Sequence, residues 1–173
     1  DYVDKTPTRE DFTRYKKLSE KYNLPILCSG WFYQLGRDDK LIFENLKMGA
    51  ELGSKYHNVQ IFLHHADGHE LTDQEVADIY LKVSEYGEKI GCIPCFEIHI
   101  NMWSENFLRI NSVSKIVHDQ GGTFRMTLDH SHVVFKMNNE AELKIFAPSF
   151  LTNPQIIGIV DCSAIKLRTC RFF

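Results

Sequence analysis

Between residues 24 and 128 the chain repeats one alternation, a short apolar run followed by a stretch with helical spacing. The apolar runs are Leu24 to Phe32, Val59 to Leu63, Cys92 to Asn101 and Thr123 to Leu128. Strands that are apolar on both faces must be covered on both. In a β-α-β-α-β-α-β series that means a parallel sheet under a layer of helices. The predicted class is therefore α/β. With no linker, repeat or low-complexity tract, residues 1–173 read as a single domain.

The helices between these runs carry their own boundary signals. Thr8 can cap a helix over 8–22, with Glu10 and Asp11 in its first turn and Asn23 and Pro25 at its end. Asp38 and Asp39 open a second helix running to about Tyr56, with Leu41, Ile42, Leu46 and Leu52 on one face. Thr72 and Glu75 form a capping box, and Val76, Ile79, Tyr80, Val83 and Tyr86 continue an apolar stripe until Gly91 stops it. Ser104 is the expected cap of a fourth helix through Gln120, ended by Gly121 and Gly122. After Phe135 the pattern weakens, and it predicts a helix over 140–145 and strands over 156–160 and 164–167.

Composition narrows the classes. No stretch approaches the roughly 18 consecutive apolar residues of a membrane span, and the start, Asp1 to Lys5, has no apolar core of the signal-peptide kind. Five cysteines are an odd number, and Cys28, Cys92, Cys95 and Cys162 sit in apolar runs. Buried free thiols suit a reducing compartment, so the expected location is cytoplasmic. Cys92-Ile93-Pro94-Cys95 has CxxC spacing. Without a second pair it reads as two small core residues at a strand start, with a metal or redox role as the alternative. The net charge of −3 and the lack of a Lys/Arg run argue against a nucleic-acid partner.

In parallel α/β folds the site lies beyond the C-terminal ends of the strands. Six of the eight histidines fall there, with only His57 and His118 expected on helices. The 59–63 run leads into His64 and His65, then Asp67 and His69. The 92–101 run carries Glu97, His99 and Asn101. The 123–128 run leads into Asp129, His130 and His132. Alternation along a strand puts Glu97, His99 and Asn101 on one face and Phe96, Ile98, Ile100 and Met102 on the other. Thr127 and Asp129 share a face in the same way. A carboxylate turned into the interior is costly unless it meets a cation, and carboxylates with imidazoles suit a divalent one.

Structural alternatives stay open at this point. Glu97 could pair with Arg125, Asp129 could cap a loop, and His64 and His65 could be packing or loop residues. His69 reads as a solvated loop residue. Trp31 and Trp103 are either core residues or pocket walls.

At two motifs the sequence resembles the xylose-isomerase-like barrel superfamily, which includes sugar isomerases, ketose epimerases and apurinic endonucleases. Cys95-Phe96-Glu97-Ile98-His99-Ile100-Asn101 resembles the strand whose glutamate binds the metal. Thr127-Leu128-Asp129-His130-Ser131-His132 resembles its Asp-x-x-His element. The resemblance spans roughly residues 20–135 and implies a parallel (β/α) barrel of the TIM type. It also implies that Glu97 and Asp129 bind a divalent metal (Mn2+, Mg2+, Co2+ or Zn2+). Glu97 would serve as acid/base and His132 would orient substrate hydroxyls. His99, Asn101, His64, His65 and Trp31 would line the substrate pocket. The chain departs from the family pattern late, with no histidine after His132 and no glutamate after Glu142.

The activity so implied is isomerisation or epimerisation of a small sugar or polyol by proton transfer next to a carbonyl. A non-catalytic or truncated member that binds metal or a small molecule is one alternative, and an apurinic-endonuclease-like phosphodiesterase is another. A full barrel takes about 250 residues and roughly 200 at the least. These 173 residues are therefore expected to hold part of one, with missing strands supplied by residues outside the sequence, by a partner chain such as a second copy in a homo-oligomer, or by segments missing between apparently adjacent residues, with 136–162 the expected place of such a break.

Overall fold

Capping and glycine chemistry set the helix limits. A computed structural model describes residues 8–127 together with Asp129 and His132. Thr8 and Asp11 cap α1 (Arg9–Tyr22) reciprocally, and Asn23 closes it in the left-handed conformation. α2 (Asp39–Glu51) stops short of Tyr56, because Leu52 and Gly53 turn the chain and Gly53 takes φ +84°. Thr72 and Glu75 box the start of α3 (Asp73–Ile90), and Gly91 closes its end at φ +77°. α4 (Phe107–Asp119) is capped by Asn106, whose side chain accepts from the Leu108 N–H. Ser104, the expected cap, instead sits in a short 3-10 turn at Trp103–Glu105. Its hydroxyl donates to the Glu97 carbonyl and accepts from the His99 N–H, closing the loop that follows the third strand.

The four strands are β1 (Cys28–Tyr33), β2 (Tyr56–Ile61), β3 (Ile93–Glu97) and β4 (Met126–Thr127). They pair in parallel, in the order β1-β2-β3-β4. Each neighbouring pair is joined through one helix, as the alternation predicts. β3 is shorter than its apolar run: it ends at Glu97, and by Asn101 the backbone has turned to φ +61°. The helix and strands expected over 140–145, 156–160 and 164–167 lie outside the described residues. Among the described residues no helix is long and apolar enough to cross a membrane.

Alternation gives the sheet one apolar and one polar face. Tyr33, Val59, Ile61, Phe96 and Met126 face the helices and are buried, with Leu46, Val76, Tyr80, Val83, Ile110 and Val113 packed over them. The ring of Tyr80 meets those of Phe96 and Phe124 at 4.8 and 4.7 Å. The opposite face carries Asn58, Gln60, Glu97 and Thr127. Across that face the Thr127 hydroxyl on β4 donates to the Asn58 side-chain oxygen on β2, passing over β3 between them. Side chains two strands apart can touch only if the sheet curves toward them. Contact between alternate strands is also how the interior of a TIM barrel is layered.

α1 buries none of its side chains, and Leu18 and Tyr22 on it are exposed. Cys28, expected in the core, is exposed as well, because among the described residues β1 has a neighbouring strand on only one side. Cys92 and Cys95 are buried free thiols. Burial pushes each up to about 12, which keeps both protonated and unreactive.

His57 corrects the sequence reading most. Because α2 ends early, it falls in β2 and not on a helix, and it is buried against the helix layer. The Asn45 amide N–H donates to the Tyr33 hydroxyl at 2.8 Å, so that hydroxyl donates onward to His57 Nε2 at 2.6 Å. Nδ1 then carries the ring proton and donates to Ser29 Oγ at 2.8 Å. Burial drives the imidazole down to about 3, and burial likewise raises the Tyr33 hydroxyl.

One glycine fixes how closely α3 approaches the sheet. A Cβ on Gly87 would meet the Cys92 carbonyl oxygen at 2.5 Å and Pro94 Cδ at 2.6 Å. In an exposed helix interior, replacing Gly by Ala stabilises by about 0.5–1 kcal/mol. Here Gly87→Ala is expected to destabilise by about 1–3 kcal/mol, because the obstacle is backbone. Urea unfolding reads the sign directly, and a stabilised variant would contradict the close approach.

Candidate metal and substrate site

Glu97 is the last residue of β3 and is buried, and Asp129 lies two residues beyond β4. Neighbouring parallel strands therefore carry the two carboxylates to the same end of the sheet. His132 follows three residues later, with its Nε2 3.6 Å from Asp129 Oδ2. One ligand atom from each of Glu97, Asp129 and His132 lies within 4.8 Å of the others. Gln60, on the polar face of β2, donates its amide N–H to Glu97 Oε2 and so orients the carboxylate. Arg125 pairs instead with Glu88 at 3.0 Å.

Two rings back the cluster. The His99 and His132 ring centroids are 3.9 Å apart, and Phe32 meets His99 edge-on at 5.7 Å. His99 Nδ1 lies 2.7 Å from the Ile100 carbonyl oxygen, so it carries the proton and donates. Burial lowers the affinity of His132 for a proton, and neighbouring His99 lowers it further against the pull of Asp129. A neutral imidazole is what a ligand or a hydroxyl-orienting group requires.

The other residues singled out from sequence fall elsewhere. Trp31 lies on the helix-facing side, in register with Val59 and packed against the core. Asn101 is exposed, its backbone N–H donating to Glu105 at 2.5 Å. His64 is exposed and bridges to Glu70. His65 joins Asp67 and His69 in the loop between β2 and α3. There hydrogen bonds from the His69 backbone and from both imidazoles hold Asp67 down at about 2, while Asp67 and then Glu75 raise His69. Sequence reasoning missed Gln60 and Phe32. Strand parity was the available signal, since Gln60 alternates with Asn58, and Phe32 with Gly30, on the face opposite the core.

Parallel strands alternating with helices, with this cluster at the strand ends, have the fold of part of a TIM barrel. Solved structures of that kind match the chain. The D-allulose 3-epimerase from Methylomonas sp., determined in complex with D-allulose, matches with a TM-score of 0.58 at 15% identity, over 76% of this chain and 51% of that one. An L-ribulose 3-epimerase matches at 0.55 and 16% identity, over 86% and 54%. The IolI protein, determined with a zinc atom, matches at 0.53 and 17% identity, over 75% and 51%. The chain thus spans about half the length of the structures it matches. No family model and no curated protein matches the sequence.

Proposed function

We propose that this chain carries part of the active site of a divalent-metal-dependent sugar or polyol isomerase or epimerase. The observation that carries the reading is the convergence of Glu97, Asp129 and His132 within 4.8 Å at the ends of two adjacent parallel strands. Two carboxylates and a neutral imidazole are donors suited to Mn2+, Mg2+, Co2+ or Zn2+. A cation bound there would supply Lewis acidity toward a substrate oxygen. Glu97, with one oxygen engaged by Gln60, is the group placed to move a proton at the neighbouring substrate carbon. His132 orients a substrate hydroxyl, and His99 and Phe32 hold its ring in place. The expected substrates are small ketoses or polyols of the kind the matched epimerases are named for.

Solvent deuterium exchange into a substrate C–H tests the reading, using D-allulose or L-ribulose with each metal in turn. Exchange that disappears in Glu97→Gln is the expected result. Absence of exchange with every sugar and every metal would count against catalysis by this chain. Metal binding without exchange would favour the second reading, a non-catalytic binding member. That reading is motivated by the 15–17% identity to the matched enzymes, a likeness of fold alone.

A further inference from the structure

We propose a second metal site, independent of the first, formed by His65, Asp67 and His69 in the loop between β2 and α3. The sequence spacing, His-Ala-Asp-Gly-His, puts three potential ligands within one tight turn. The backbone builds that turn: the His65 N–H donates to the His69 carbonyl and the Gly68 N–H to the His65 carbonyl, both at 2.9 Å, with Gly68 at φ +97°. The two imidazoles stack, centroids 4.8 Å apart and 25° from parallel, and both turn Nδ1 toward the same carboxylate oxygen. His65 Nδ1 stands 3.1 Å and His69 Nδ1 2.5 Å from Asp67 Oδ1.

His69 Nδ1, aimed at the carboxylate oxygen, must carry a proton or face a cation, while His65 Nδ1 accepts from the Asp67 backbone N–H at 3.4 Å, a contact long enough for a cation to replace. Tetrahedral Zn2+ with bonds of 2.0–2.1 Å separates its ligand atoms by roughly 3.3 Å. The separations here reach that value with a small opening of the turn. The surroundings fix both rings. His65 packs against Gly36, where no Cβ could be accommodated, and His69 Nε2 lies 3.0 Å from Glu75 Oε1. A histidine ligand whose far nitrogen donates to a carboxylate is the usual arrangement around zinc.

The ligand class is a borderline divalent cation. Two imidazoles and one carboxylate favour Zn2+ over the harder Mg2+ and Mn2+, which suit the carboxylate pair at Glu97 and Asp129. All four strands run in parallel, so the loop after β2 lies at the same end of the sheet as Glu97. A cation there clips that loop at the rim of the first site.

Calorimetric titration of Zn2+ into the metal-free chain tests the proposal in the Glu97→Gln/Asp129→Asn background, which disables the first site. One equivalent is expected to bind with micromolar or tighter affinity, and Co2+ in its place is expected to give the visible absorption of a four-coordinate centre. Adding His69→Ala should abolish the binding while circular dichroism stays unchanged, since His69 is an exposed loop residue. Glu75→Gln keeps a side chain able to complete the capping box of α3, yet should weaken Zn2+ by about 10–100-fold through His69 alone. Binding no tighter than millimolar in the double variant would overturn the proposal. So would binding that His69→Ala leaves unchanged. Loss of the first site's metal alone bears only on the proposed isomerase function.

Discussion

Glu97→Gln is expected to lower the affinity of the first site for Mn2+ or Co2+ by more than about 100-fold. Removing a partner that merely orients a metal ligand already costs about 10–100-fold, and this change removes the charge of a ligand itself. The variant should fold normally. Gln60 can still donate to the amide oxygen that replaces Oε2, and a buried carboxylate beside Asp129 has become neutral. Without metal its thermal midpoint should therefore equal or exceed that of the unaltered chain. The metal-induced rise separates the two proteins. A cation at 100 times its dissociation constant stabilises the native state by about 2.7 kcal/mol. That gain should appear in the unaltered chain and vanish in the variant. Unchanged affinity by calorimetry would remove Glu97 from the ligand set.

Acidification is expected to destabilise the fold through His57. In the native state the imidazole is held down at about 3 by burial, against about 6.5 when unfolded. The unfolded chain therefore binds the extra proton first, and stability falls as pH drops below 6.5, levelling near 3. Each pH unit in that window costs at most about 1.4 kcal/mol, so the loss between pH 6.5 and pH 5 approaches about 2 kcal/mol. Burial is what resists protonation, and the Ser29–His57–Tyr33–Asn45 chain offers an imidazolium no new acceptor. Tyr33 already donates to Nε2, so an imidazolium would turn a second donor against that hydroxyl. In His57→Gln the slope over pH 7 to 5 should flatten, even if absolute stability is lower. Equal slopes in chemical denaturation would show that His57 does not carry the effect.

The two carboxylates and the histidines were legible because a parallel α/β chain displays its chemistry at strand ends. Glu97 and Asp129 each end an otherwise apolar run, and His132 follows three residues later. Their helices were legible too, since Thr8, Thr72 and Gly91 act on the backbone within one turn of themselves. Boundaries set by tertiary contacts were not. Ser104 read as a helix cap, but its hydroxyl serves the Glu97 carbonyl, a group seven residues back whose position depends on where β3 stops. His57 read as helical because nothing local distinguishes the end of a helix from the start of a strand once Leu52 and Gly53 are passed over.

The sequence by itself determined the layer order, the parallel sheet and the end of the sheet at which the chemistry gathers. These follow from periodicity and capping, which are local. Only the tertiary structure decided which polar residues meet. Gln60 reaches Glu97 and Thr127 reaches Asn58 because the sheet curves, and curvature belongs to the packed sheet as a whole. The same holds for His65, which sequence proximity would send to the Glu97 site and which the turn through Gly68 and the packing against Gly36 commit to Asp67 and His69.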